Sequence, residues 1–336
     1  MTATQDVSLA DWLAGLVPEL SPPVEVHRVG AGQSNVTCLV RDHDGREWIL
    51  RRPPAGAHDR TAHDVHREAR ILRALAVSPV PVPTVVATGQ DEAGVDGPFY
   101  VMERAQGEVL ETEAEAEGLS RSDRLLISGH VAEVLVTLHS LTPLDVGLHA
   151  LGRPDGYLER QIRRTERNWA MWDAAGAAAA EWAECRRRLT KRIPCQQRTS
   201  IAHGDFRLSN LLVEQGRVTA VLDWELCTLG DPLADLAWLV DDWKGPEDPA
   251  IVMPSPTRAG GFHHRDRLVD AYAAATGLDV SELPYYRAFT HWKAATLLQG
   301  VVFRRRGGAL ANHGSVDIAD LESTIKFLLH EALELV

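Results

Sequence analysis

Residues 201–236 read IAHGDFRLSNLLVEQGRVTAVLDWELCTLGDPLADL, and no other stretch constrains the chain as tightly. A short apolar run enters a polar loop. Two alternating runs follow, joined by the turn Gln215-Gly216, and the second ends on an acid, Asp223. Gly230-Asp231-Pro232 then has the form of a helix start, with Asp231 as N-cap and Pro232 at the first helical position. A fold that accepts this block must deliver a strand, a loop, a hairpin and a helix around one point.

The loop has the form H-x-D-x-x-x-x-N, with His203, Asp205 and Asn210 at the fixed places. An acid that orients a hydroxyl, and an amide plus a second acid that suit Mg²⁺, are the minimum parts for moving a phosphoryl group. Asp205, just after the apolar run, is placed to align an acceptor hydroxyl and take its proton. Asn210 and Asp223 offer the oxygens Mg²⁺ prefers, a few protein ligands beside phosphate and water. His203 is read as bracing this catalytic loop through hydrogen bonds. Arg207 has the fork geometry that suits a transferred phosphate or an anionic acceptor. Asp235, in the first turn of the helix, is expected to hydrogen-bond backbone beside the loop.

The first hundred residues predict strands around one helix: Val24–Val29, Val36–Arg41, Glu47–Arg51, a helix from Asp59 to Ala76, then Thr84–Thr88 and Phe99–Met102. Gly30, Gly32, Ser34 and Asn35 form a turn between the first two strands. Asn35 stands where a full G-x-G-x-x-G has its last glycine, yet small residues between strands let backbone N–H groups approach phosphates, and Ser34 adds a hydroxyl. Alternation puts Ile49 and Arg51 on one face, Ile49 for a base and Arg51 for its phosphates, while Arg52 points away; a one-residue slip swaps the two arginines. Glu68 falls on the apolar stripe of its helix with Val65, Ala69 and Leu72. A carboxylate there needs a partner, and Arg51 is the candidate.

Beyond Glu103 helical patterns dominate: 121–140, 154–172, 177–192, 232–243, 265–276, 281–304 and 315–335. The only β signal there is 200–202, 211–214 and 218–222. The fold class is therefore α+β, a small β-rich N-terminal lobe (1–104) and a larger helical C-terminal lobe (105–336), with a cleft between them for a small molecule. A formal net charge of −12 argues against a nucleic-acid binder. No apolar run is long enough for a membrane span. The N-terminus, which lacks a basic region, is expected to be a short amphipathic helix, and the four scattered cysteines fit reduced thiols, so the expected location is cytoplasmic. Residues 108–117 form an acidic run expected on a solvated helix face, and the Pro-rich stretch 244–261 is long enough to be functional or mobile.

Together these residues resemble the aminoglycoside phosphotransferase-like branch of the protein-kinase fold. HGDFRLSN, LDWE at 222–225 and GDPLADLA at 230–237 carry the likeness, with GAGQSN at 30–35, ILRRPP at 49–54 and the Glu68 helix beside them. The subgroup it resembles is also found fused to acyl-CoA dehydrogenases. The resemblance implies transfer from ATP with Mg²⁺ to a small hydroxylated acceptor, Asp205 as base, Asn210 and Asp223 as metal ligands, and adenine held by backbone at Met102, Glu103 and Arg104. Arg51 stands where the family has its nucleotide-binding lysine, with Glu68 its partner. Asp223-Trp224-Glu225 replaces D-F-G, and there is no A-P-E segment, which speaks against a protein substrate.

The acceptor stays open. Arg160, Arg163 and Arg164, Arg186–Arg188, Arg304–Arg306 and Arg207 favour an anionic hydroxy acid or hydroxyacyl thioester, and Trp169, Trp172 and Trp292 are core residues or walls of an apolar pocket. An aminoglycoside or other antibiotic kinase, a silent nucleotide-binding module and a metal-dependent hydrolase are the other readings. ATP against GTP and the oligomeric state are also open.

Overall fold

Alternation in one strand explains how the N-terminal sheet is filled on both sides. In a computed structural model of the chain, which describes residues 8–29, 35–54, 64–172, 178–307 and 316–336, Phe99 and Val101 of one strand face one core while Tyr100 and Met102 face another. The strand is β5 (Val95–Glu103), and the sheet runs β1 (Glu25–Val29), β2 (Val36–Arg41), β3 (Glu47–Arg52), β5, β4 (Val85–Glu92), antiparallel throughout. The outer core takes Trp48 and Leu50 and is capped by α1 (Leu9–Ala14), whose Trp12 ring lies 5.2 Å from Phe99. The inner core receives α2 (Val65–Leu75), capped by Asp64 on Arg67 N and buried along Val65, Glu68, Ala69 and Leu72. The register Arg51↔Tyr100 and Ile49↔Met102 puts Arg51 on that inner side, as the alternation predicts.

The chain then passes through β6 (Glu108–Val109) and α3 (Glu113–Glu117) into α4 (Arg121–Ser140), α5 (Tyr157–Met171) and α6 (Ala179–Lys191). The acidic run is thus a strand and a short helix with a Thr112–Glu115 capping box, and most of its glutamates are solvated. Strand β7 (Ser200–Ala202) pairs with β10 (Thr228–Gly230), and β8 (Leu211–Glu214) with β9 (Arg217–Val221), before α7 (Pro232–Asp242), α8 (Arg265–Thr276), α9 (Leu283–Arg306) and α10 (Ile318–Leu335). The strands at 108–109 and 228–230 are too short to carry a period-2 signal, which is why the sequence does not predict them.

The tryptophans fill the helical core. Trp169 stacks on Trp182 at 4.6 Å, Trp182 leans on Trp292 at 4.9 Å, and Trp182 Nε1 donates to Thr296 Oγ1. None of the described helices is long and apolar enough to cross a membrane. The four cysteines are unbridged.

Candidate active site

Helix α7 sets the catalytic loop. Asp231 caps it, accepting from Leu233 N, and also accepts from the Tyr286 hydroxyl at 2.6 Å. One turn on, Asp235 accepts from His203 N at 2.6 Å and Gly204 N at 2.8 Å, which are the backbone bonds expected of it. Burial pushes the Asp235 carboxyl up, but His139, His203 and the Gly204 N–H outweigh it and hold the group below its ordinary value. His203 braces the loop as expected: its Nε2 meets Leu222 O at 2.8 Å, and Asp205 N donates to its Nδ1 at 3.2 Å. Those two bonds require the tautomer with the proton on Nε2. Gly204 turns at φ +86, and a Cβ there would stand 2.9 Å from Leu226 O, so no other residue fits.

Both oxygens of Asp205 are engaged. Asn210 Nδ2 donates to Oδ2 at 2.8 Å and to the Asp205 carbonyl at 2.9 Å. Trp238 Nε1, a residue the sequence reading does not single out, donates to Oδ1 at 2.6 Å. Burial raises the Asp205 carboxyl above its ordinary value, against the opposing pull of Arg207, His203 and Lys293. Lys293 is a second residue missed from sequence; its Nζ donates to Gly204 O at 3.3 Å and lies 4.6 Å from the centre of the Trp238 ring.

Asp223 and Asn210 are brought together by the hairpin. Leu222 N donates to Asn210 O at 2.8 Å, and Leu211 pairs with Val221. Asp223 then turns into the left-handed region, φ +61, a conformation that costs a non-glycine residue about 1 kcal/mol. It meets Arg51, whose Nη1 lies 2.9 Å from Glu68 Oε1 and whose Nη2 lies 3.4 Å from Asp223 Oδ1. The Arg51–Glu68 pair inferred from the helix stripe is therefore present. Burial pushes Glu68 up to about 7 although Arg51 pulls it down. Arg67 ties α2 to the segment after Asp223 through the carbonyls of Glu225 and Cys227.

The two metal candidates fit Mg²⁺. The Asn210 amide nitrogen is committed to Asp205, which leaves its oxygen to face a cation. Among the described residues no group of three His, Cys, Asp or Glu side chains is placed to hold a metal ion by itself. Asn35 is buried, and its Oδ1 has no hydrogen-bond partner among the described residues; Gly30, Gly32 and Ser34 lie outside them. Ile49 is half-buried and Met102, opposite it on the neighbouring strand, is buried; Glu103 N donates to Thr84 O, and the Arg104 side chain pairs with Glu47. Arg207 is held at 3.1 Å by Asp242 and reaches Pro254 O, so its fork is engaged away from Asp205.

Trp238 also walls a cleft, partly open to solvent, between α7, the 244–261 segment, α9 and α10. The Pro-rich segment is folded there: Ser255 Oγ donates to Asp242 O and Thr257 Oγ1 to Lys244 O. A second cleft, lined by Gln161, Arg164, Asn168, Gly204 and Lys293, opens on the other part of the loop.

Residues 25–289 match the phosphotransferase enzyme family. The chain belongs to that family. It is 34% identical over 326 residues to acyl-CoA dehydrogenase family member 10 of Mus musculus, covering 92% of this chain and 29% of that protein. With acyl-CoA dehydrogenase family member 11 of Homo sapiens it shares 30% over 341 residues, covering 96% of this chain and 41% of that protein. This phosphotransferase-family chain thus spans well under half the length of those relatives. A crystal structure described as a putative aminoglycoside phosphotransferase from Ralstonia eutropha JMP134 superposes with a TM-score of 0.80 at 27% identity, over 97% of this chain and 96% of that one. The mixed α+β, kinase-like fold expected from the sequence is therefore established.

Proposed function

We propose that the chain is an ATP- and Mg²⁺-dependent kinase of a small hydroxylated molecule, with its nucleotide region in 1–104 and its acceptor region in 105–336. The observation that carries this reading is that Arg51 bridges Glu68 and Asp223, one on each terminal nitrogen, beside a loop that presents Asp205 and Asn210. Structures sharing the fold at 16% identity hold GDP with kanamycin, and ADP with hygromycin B, in those proteins.

In this reading Asp205 accepts the proton of the acceptor hydroxyl as the new O–P bond forms and the bond to the departing nucleoside diphosphate breaks. Its raised carboxyl pKa makes it the better base. Asn210 and Asp223 would hold the Mg²⁺, whose contribution is to neutralise phosphate charge. Arg51, fixed by Glu68, would face the phosphates, with the buried Asn35 Oδ1 on the same lobe. His203 keeps Asp205 in place through its backbone N–H.

The acceptor we infer is anionic or apolar, a hydroxy acid or hydroxyacyl thioester, rather than a polycation. Among the described residues, three of the four carboxylates lining the cleft walled by Trp238 are already ion-paired: Asp241 with Arg287, Asp242 with Arg207 and Asp248 with Arg265. Lys244 Nζ is buried there without a hydrogen-bond partner among the described residues, beside apolar Ile251, Met253 and Phe327. The distant arginine clusters add little, since Arg186, Arg187, Arg188 and Arg306 pair with glutamates on the helix surfaces.

The test is an untargeted metabolite screen with γ-labelled ATP, comparing wild type with Asp205→Ala. A labelled product that appears with wild type and falls by about a thousandfold with the variant, at unchanged nucleotide binding, is expected. Equal product from both removes Asp205 from the role of base. Tight MgATP binding with no product across the screen favours the silent module.

A further inference from the structure

Asp235, Trp238 and Asp242 are spaced by three and four residues, so they stand on one face of α7. That face engages three successive parts of the catalytic loop. Asp235 takes the backbone N–H groups of residues 203 and 204. Trp238 takes the side chain of Asp205, and Asp242 that of Arg207. The middle contact is unlike its neighbours, because it is made to the group that the proposed reaction uses.

We propose that Trp238 is a positioning residue for Asp205, one that fixes the direction in which the base presents its oxygen and joins the base to the acceptor cleft. The proposal rests on the kinase reading above and adds a residue to it. A carboxylate rotates about one bond, and a single donor leaves that rotation loose. Asn210 Nδ2 on Oδ2 and the indole N–H on Oδ1 hold the two oxygens from separate elements and remove that freedom. Each oxygen keeps a second lone pair, so Oδ1 can still accept from an acceptor hydroxyl.

The indole is itself held. Lys293 stands over its face at 4.6 Å, a cation–π arrangement, and the same ammonium donates to Gly204 O, one residue before the base. The ring also lines the cleft between α7, α9 and α10. One side chain therefore forms cleft wall and base support at once.

The test uses the full chain and two readouts. Trp238→Phe keeps an aromatic ring under Lys293 and removes only the N–H donor with the second ring. In protein labelled with ¹⁵N at its tryptophans, the indole signal lost in Trp238→Phe belongs to Trp238. Asp205→Asn should move that signal strongly and leave the other indoles in place; an unmoved signal overturns the contact. MgATP turnover, with the acceptor found in the screen or with water, is the second readout. We expect Trp238→Phe to lower kcat between about tenfold and a hundredfold with KM for MgATP within about twofold of wild type, because misdirection of the base acts on the chemical step. Unchanged kcat overturns the proposal, and so does a parallel loss of kcat, MgATP affinity and thermal midpoint, which would mark Trp238 as packing alone. Asp205→Ala measured alongside separates the two readings: if it turns over like wild type, the base assignment has failed and not merely its support.

Discussion

The loop around Asp205 and the Arg51 side of the N-terminal sheet are built on different plans. In the loop the groups the reaction needs are already satisfied: Asp205 has a donor on each oxygen, and the His203 and Gly204 amides both end on Asp235. On the sheet side, Asn35 Oδ1 and Arg51 Nε are buried with no hydrogen-bond partner among the described residues, and Arg51 spans two acids. Buried polar atoms without partners are costly; on the sheet side they include Asn35 Oδ1 and Arg51 Nε, while in the loop Arg207 Nε is one and the Asp205 oxygens are both bonded. In the proposed kinase, preorganisation at Asp205 and open polar atoms beside Arg51 would suit a reaction governed by positioning and charge.

The sharpest way to break this contrast is to remove the loop's internal support. Asp235→Ala strands two buried amides and His139, and should cost about 4 kcal/mol in denaturant unfolding. The pH dependence of that loss has a definite sign. The folded-state pKa of Asp235 lies below its ordinary 3.8, so its contribution is complete above that range and is lost as pH falls through the folded value. The thermal midpoint of wild type should therefore decline more steeply in acid than that of the variant. A variant as stable as wild type near neutrality would mean that Asp235 does not support the loop.

Arg51→Lys probes the other half. A lysine can satisfy Glu68 or Asp223 but not both in the way the fork does. We expect KM for MgATP to rise about tenfold, which corresponds to about 1.4 kcal/mol, with little change in unfolding. A large loss of stability instead would make the arginine a structural strut. The smallest effect is expected from Arg186→Gln with Arg187→Gln, whose side chains are 52% and 63% exposed. Neither the unfolding midpoint nor KM for MgATP should move measurably, since such pairs are screened by water and salt.

Much of this site is written locally. His203, Asp205, Asn210 and Asp223 are legible because loop and hairpin spacing fix them within one short stretch, and Asp231 and Asp235 because a cap and a first turn have fixed positions. Glu68 is legible because an acid on an apolar stripe demands a cation. Trp238 and Lys293 are not, for a physical reason. An apolar aromatic seven residues beyond a helix cap looks like ordinary core, and only the docking of α7 on the loop shows that its N–H meets a carboxylate. The Pro-rich segment 244–261 is a loop, as its composition signals, apart from one short turn at Pro256–Ala259, but the bonds that Ser255 and Thr257 give it are announced by no local pattern. Arg207 is legible as a cation near the site but not as the partner of Asp242, since that pairing depends on where α7 ends.

The tie made by Arg67 has a consequence for how the chain can change over time. Arg67 grips main-chain oxygens of residues 225 and 227 and not their side chains. Every amino acid supplies that oxygen, so mutations at those two positions leave the attachment of α2 in place. The attachment of the helix that carries Glu68 to the stretch after Asp223 therefore does not depend on which side chains stand at 225 and 227.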